Sequence, residues 1–199
     1  MVKEKKCIVI GSNSFSGSGF VDYLLNQNFN VYGCSRSKLI DNVFLPHSTS
    51  LKKNNFNFYK IDINKDLTKL ITIINENEIP YIVNFSAQSM VAESWDNPSH
   101  WFNTNVISTV NLHNELKNLK FIKKYVHVST PEVYGNCNGS VDESFNFNPS
   151  TPYAVSRAAA DMSLNTFGKA YKFPYVITRA ANVYGPHQQL YRIVPKSII

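Results

Sequence analysis

Short apolar runs alternate with longer stretches of helical spacing along the whole chain. Lys6-Cys7-Ile8-Val9-Ile10 reads as a buried parallel strand. A turn rich in glycine and serine follows over residues 11–19, and then an amphipathic helix over 17–28. Residues 29–34 predict a second strand and 41–55 a polar, irregular surface loop. Residues 56–61 alternate as a third strand, 66–77 have helical spacing, and 81–85 form a fourth strand. Residues 98–119 predict one long helix turning Trp101, Val106, Val110 and Leu112 to the core. A fifth strand is expected at 124–128, a helix opens at Pro152, and a sixth strand covers 175–179. Strands alternating with helices throughout predict an α/β fold: one doubly wound, Rossmann-like parallel sheet.

Composition narrows this picture. The chain has 199 residues, 43% of them hydrophobic, which suits a single domain with a full core. No apolar run approaches the roughly 18 residues that span a bilayer, so no membrane partner is expected. Met1-Val2-Lys3-Glu4-Lys5-Lys6 leads into a strand rather than a signal-peptide core. Cys7, Cys34 and Cys137 show no paired or metal-ligand spacing. Reduced thiols, a cytoplasmic location and no metal are therefore expected. The net charge is +6, but the lysines are scattered, which argues against nucleic acid. Arginine occurs only at Arg36, Arg157, Arg179 and Arg192.

Six stretches carry chemistry. In the first, Gly11, Ser14, Phe15, Ser16 and Gly17 form a turn between a strand and a helix, where backbone amides and the helix dipole meet a pyrophosphate. Ser14 replaces the middle glycine of a G-x-x-G-x-x-G pattern and offers its hydroxyl as an extra donor. The second strand ends in Ser35-Arg36-Ser37, with no acid to read a ribose 2′-hydroxyl. A guanidinium and two hydroxyls suit a 2′-phosphate, which favours NADP over NAD. Asp62 and Ile63 end the third strand, where an adenine amine can be met. Ala87, Gln88 and Ser89 lie in a small-residue loop over that site. Asn105, in the long helix, is either structural or helps order the site.

Ser129-Thr130-Pro131-Glu132-Val133-Tyr134-Gly135 falls at the carboxyl end of the fifth strand, the edge where open α/β sheets bind ligands. Glu132 suits the base that proton abstraction beside a carbonyl requires. His127, just before, reads as a satisfied core residue. Thr151 and Pro152 mark a helix start, and Tyr153 and Arg157 leave its first turn on one face. A fixed cation beside a phenol favours the phenolate, so a lowered Tyr153 pKa is expected.

Taken in order, Gly11 to Gly17, Ala87-Gln88-Ser89, Ser129 to Gly135, Tyr153 to Arg157 and Asn182 to Pro186 resemble the extended short-chain dehydrogenase/reductase superfamily. Within it the chain is most similar to the nucleotide-sugar 4,6-dehydratases of the NAD-dependent epimerase/dehydratase family. The resemblance implies that Thr130 bonds the sugar 4-hydroxyl and Tyr153 takes its proton as hydride leaves C4. Glu132 would then abstract the C5 proton, water would leave C6, and the hydride would return there. Residue 157 would also bond the nicotinamide ribose. Gln88, Ser89, Asn182 and Arg192 would bind the nucleotide sugar. Homodimers through two long helices, here 98–119 and 152–171, are a further implication.

Three departures qualify the likeness. Arginine stands at 157 where the family usually has lysine. Pro131 stands where many dehydratases carry an aspartate acid. Relatives also run well past this length, so the substrate lobe is expected to be largely missing, with only its start at about 183–199. A 4-epimerase or 4-keto reductase on the same fold, and a catalytically silent cofactor-binding protein, remain alternatives.

Overall fold

The computed structural model describes residues 5–199, so most of the charged leader Met1 to Lys6 lies outside the described residues. Six strands form one sheet: β1 (Lys6–Ile10), β2 (Asn30–Ser35), β3 (Phe56–Lys60), β4 (Tyr81–Asn84), β5 (Lys124–Ser129) and β6 (Tyr175–Arg179). Their spatial order is β3-β2-β1-β4-β5-β6, and every pairing is parallel. This is the doubly wound Rossmann order, with its switch point between β1 and β4.

The apolar strands follow from burial on both faces. Successive side chains of β1 point to opposite sides. Ile8 and Ile10 join Leu70, Ile74, Ile82, Leu112, Tyr125 and Leu164 in the larger core. Cys7 and Val9 join Val21, Leu25, Val31 and Val83 on the other face. Helix α1 (Phe15–Asn26) covers that second face. Helix α2 (Leu67–Glu76) and the two long helical segments described next cover the first.

Residues 98–119 are not one regular α-helix. A turn, α3 (Glu93–Asp96), precedes α4 (Pro98–Trp101); a π-helical stretch, Phe102–Ser108, follows and runs into α5 (Thr109–Leu116). The wider π turn brings Thr104, Asn105, Ser108 and Thr109 inward together, and the Thr109 hydroxyl donates to the Thr104 carbonyl five residues back at 3.2 Å. Trp101 and Leu112 are buried as expected, whereas Val106 and Val110 are only half-buried because these polar residues take the inner face.

Helix α6 (Pro152–Tyr171) begins as its sequence predicts: the Thr151 hydroxyl accepts from the Ala154 amide at 3.1 Å, and Pro152 fills the first position. The 41–55 loop contains three short 3₁₀ turns rather than irregular chain. Helix α1 starts two residues earlier than the pattern indicates, because Ser14 caps it. A short helix, α7 (Ile193–Ile198), ends the chain.

Burial of Cys7 in β1 and Cys34 in β2 pushes both thiols up to about 12, while Cys137 is exposed. An aromatic disulfide reagent at mildly alkaline pH should therefore titrate Cys137 alone in the native protein. All three cysteines should react after denaturation. Rapid native reaction at a second thiol would show the centre of the sheet to be open.

Candidate active site

The carboxyl ends of the strands open on one cavity of about 1280 Å³. It exceeds the usual range for a single small ligand and has room for a dinucleotide beside a second molecule. Gly11, Ser14, Phe15 and Ser16 line it from the β1–α1 turn, and Ser35, Arg36 and Ser37 from the end of β2. Asp62 and Ile63 line it from β3, Ala87, Gln88 and Ser89 from β4, and Thr130 and Glu132 from β5. Tyr153, Arg157, Asn182 and Arg192 complete the wall. Of the residues that the sequence assigns to cofactor, substrate or catalysis, Gly17 alone stands behind it. A Cβ there would come within 2.3 Å of the Gly11 carbonyl oxygen, so its lack of a side chain sets how closely helix and loop pack.

The β1–α1 turn has the features of an anion cradle. Gly11 has φ of +86°, and a Cβ there would press against the backbone of Phe85 and Ser86. No acidic residue occupies the first turn of α1, leaving the positive end of its dipole uncompensated. The Ser14 hydroxyl is not the spare donor that its position suggests. It donates to the Gly11 carbonyl at 2.7 Å and accepts from the Gly17 amide at 3.1 Å, closing the cap on itself.

Asn13, which the sequence reading passed over, fixes the second half of this wall. Its backbone amide donates to Ser35 Oγ, and its side-chain amide donates to Ser37 Oγ and the Lys38 carbonyl, at 2.8–3.0 Å. Both serine hydroxyls act there as acceptors and keep their own protons to donate. Arg36 between them is exposed. Asp62 Oδ1 accepts from the Asn64 amide at 3.0 Å, which shapes the turn after β3.

At the other end, the Thr130 hydroxyl accepts from the Glu132 amide at 3.3 Å, capping the 3₁₀ turn Pro131–Tyr134. The Tyr153 phenol and the Thr130 hydroxyl stand close enough for Thr130 to favour the phenolate, and both side chains are buried against the cavity wall. Contrary to the expected direction, the phenol's pKa is raised. Burial outweighs the opposing pull of the Arg157 charge and the Thr130 hydroxyl. Burial also raises the Glu132 carboxyl.

Arg157 lies inward, only 1% exposed. Its guanidinium donates to the Val128 carbonyl and to His127 Nε2, the latter at 3.1 Å. Asp161, one turn further along α6, accepts from Ser129 and from both Nε and Nη2 of Arg179. Asn105, left open by its sequence position, proves to be a clamp. Its Oδ1 accepts from the Gln88 amide at 2.8 Å, and its Nδ2 donates to the Gln88 carbonyl and to Ser156 Oγ. Ser156 in turn donates to the Tyr153 carbonyl at 2.7 Å. The loop over the cavity and the helix bearing Tyr153 are thus joined through one buried amide. A polar residue on the predicted core face was the only sequence signal for it.

Among the described residues no cluster of His, Cys, Asp and Glu is arranged to hold a metal, and no helix is long and apolar enough to cross a membrane.

Comparison with known proteins agrees with this arrangement. Residues 8–199 match the family model described as GDP-mannose 4,6 dehydratase. The dTDP-D-glucose 4,6-dehydratase of Dictyostelium discoideum is 33% identical over 98% of this chain and 47% of its own length. A UDP-N-acetylglucosamine 4-epimerase from Methanobrevibacter ruminantium superposes with a TM-score of 0.85 at 29% identity, covering 99% of this chain and 62% of that one. The dTDP-glucose 4,6-dehydratase DesIV of Streptomyces venezuelae, solved with NAD and TYD bound, gives 0.85 at 30% identity, covering 96% and 60%. The chain therefore spans about half to three-fifths of the length of these relatives. A six-stranded Rossmann sheet with the Tyr153 and Thr130 pair at its carboxyl edge, matched along nearly the whole chain, places it in the NAD-dependent epimerase/dehydratase family, among relatives of the nucleotide-sugar 4,6-dehydratases.

Proposed function

We propose that this site oxidises C4 of a nucleotide-linked hexose and removes the C5 proton, the opening steps of 4,6-dehydration. The observation that carries the reading is that Tyr153, Thr130 and Glu132 meet at one edge of the same cavity, close enough for Thr130 and Glu132 to act on the phenol. When bound along the β1–α1 turn, a nicotinamide dinucleotide supplies the hydride acceptor and donor. Thr130 orients the 4-hydroxyl, and Tyr153 takes its proton. The Arg157 charge offsets part of the cost of burying the phenolate. A ketone at C4 acidifies the C5 hydrogen, and Glu132 abstracts it. The raised pKa of Glu132 makes it a stronger base than an ordinary carboxylate. The C6 hydroxide leaves as water with one of the two protons removed, the hydride would return to C6, and C5 takes back the other proton.

Residues 1–199 serve in this reading as the dinucleotide-binding domain, with the substrate-binding segment beginning at about 183. Asn182 and Arg192 lie on the cavity wall where they can meet substrate phosphates. A 4-epimerase or 4-keto reductase is the second reading. It is supported by Pro131, which puts no carboxyl beside Glu132, and by the likeness to a 4-epimerase. Exposed Phe102, Ile107 and Met162 on the long helices support a homodimer. A monomeric mass by light scattering would count against it.

Incubation with nucleotide hexoses and product mass spectrometry test the reading. Loss of one water is expected, with turnover abolished in Tyr153→Phe. Glu132→Gln should stop water loss while leaving C4 oxidation. A product of unchanged mass would favour epimerisation, and full activity in Tyr153→Phe would remove that residue from the mechanism.

We further propose that Ser35, Arg36 and Ser37 favour NADP. The crystallised DesIV relative carries NAD, which makes the distinction worth measuring. Fluorescence titration should show tighter NADPH than NADH binding, the difference vanishing in Arg36→Ala. Equal or tighter NADH binding in the parent would assign NAD instead.

A further inference from the structure

A buried cation needs acceptors, and the Arg157 guanidinium has few. Its Nη2 reaches the Val128 carbonyl and His127 Nε2, while its Nη1 is buried without a hydrogen-bond partner. An arginine side chain has no acceptor atom, so His127 Nε2 must be the unprotonated nitrogen. The surroundings enforce that state. His127 is fully buried, and burial first, then the charges of Arg157, His113 and Arg179, hold its pKa well below the ordinary range. Tyr125 lies roughly parallel to it on β5, with ring centroids 6.3 Å apart, and His113 meets it edge-on from α5 at 6.0 Å. Asp161 Oδ1 lies 3.6 Å from Nε2 with no hydrogen bond of its own, its Oδ2 being committed to Ser129 and Arg179. The cluster therefore holds two guanidiniums, one carboxylate and a neutral imidazole.

We propose that His127 is a positioning residue for proton transfer at Tyr153: its neutral imidazole anchors Arg157 from the floor of the sheet and so keeps the positive charge one helical turn from the phenol. Tyr125, His127 and Ser129 alternate along β5 onto the face covered by α6, and Arg157 reaches that face between Tyr153 and Asp161. Arg157 is thus fixed by the strand it covers. The extra reach of arginine, compared with lysine, lets one nitrogen at its tip span from helix to strand. This inference rests on Tyr153 as the proton carrier named above.

Tetranitromethane attacks the phenolate, so the nitration rate of Tyr153, read by peptide mass spectrometry, reports the phenol without substrate or cofactor. Exposed Tyr23 and Tyr184 are internal references. His127→Phe should slow Tyr153 nitration several-fold and leave the references unchanged. His127→Gln, which retains an acceptor, should stay near the parent rate. Arg157→Met should slow it as much, and the double variant should be no slower than Arg157→Met alone. Should His127→Phe fail to fold by circular dichroism, His127→Leu takes its place. Unchanged nitration in the folded variant, or slowing that multiplies in the double variant, would overturn the proposal. The two readings fail separately: a parent that turns over no nucleotide sugar removes the proposed reaction, whereas the nitration rates decide the role of His127.

Discussion

Taking a guanidinium out of water costs several kcal/mol unless acceptors are turned toward it, and that constraint organises the β5–α6 half of this fold. Arg157 is nearly inaccessible, and around it β5 supplies a carbonyl from Val128 and an imidazole from His127. Asp161 and Arg179 form the next pair outward, and Arg179 packs over the rings of Tyr134, Phe145 and Phe147 at 5.2–5.7 Å. The same arginine donates to the Tyr134 hydroxyl, which itself bonds the backbone of Ser144 in both directions. One ionic cluster thus joins β5, α6, β6 and the 134–147 loop. Thr130, Glu132 and Tyr153 all stand on elements that it holds in place.

Neutral amides do the equivalent work around the β1–α1 turn and β4. Asn13 binds the β1–α1 turn to the end of β2, and Asn105 binds the loop after β4 to α6. Asn84 accepts from the Ser86 amide and hydroxyl and donates to the Tyr125 phenol, which meets His113 Nε2 at 3.0 Å. These loops carry few apolar side chains with which to fix themselves. A buried amide supplies order without adding charge; Asn105 and Asn84 are bonded at both ends, whereas Asn13 uses only its donor and its Oδ1 has no partner.

Much of this was legible in the sequence because it is local. The apolar run at β1, the cap and proline opening α6, and the one-turn spacing of Tyr153 and Arg157 each depend on neighbours a few residues apart. What was not legible depends on how the chain is turned and packed once folded. The phenol was expected to be lowered by its neighbouring cation, but the degree of burial, which decides the direction, is a property of the assembled cavity. The Ser14 hydroxyl looked free because its acceptor, the Gly11 carbonyl, turns toward it only in the folded loop. The π-helical stretch was hidden because helical spacing does not distinguish a four-residue from a five-residue hydrogen-bond ladder over one turn. Its polar inner residues Thr104, Asn105, Ser108 and Thr109 were the visible clue.

Fold likeness by itself does not choose among the reactions that this scaffold supports, since one 4-epimerase and one 4,6-dehydratase superpose on the chain with the same TM-score of 0.85. The choice lies in where protons can go once C4 is a ketone. An epimerase must only let the ketone present its other face to the hydride, and a carboxylate near C5 is then a hazard, because it draws off an acidified proton. Glu132, held beside the Thr130 and Tyr153 pair by a capped 3₁₀ turn and made more basic by burial, is poorly suited to that task and well suited to elimination. Pro131 pulls the other way, since hydroxide leaves C6 readily only when it is protonated. The base is a group present at the site, whereas the acid can come from water or from the proton that Glu132 has just removed. That asymmetry makes C5 deprotonation the better-supported half of the proposed reaction and is why we place dehydration ahead of epimerisation.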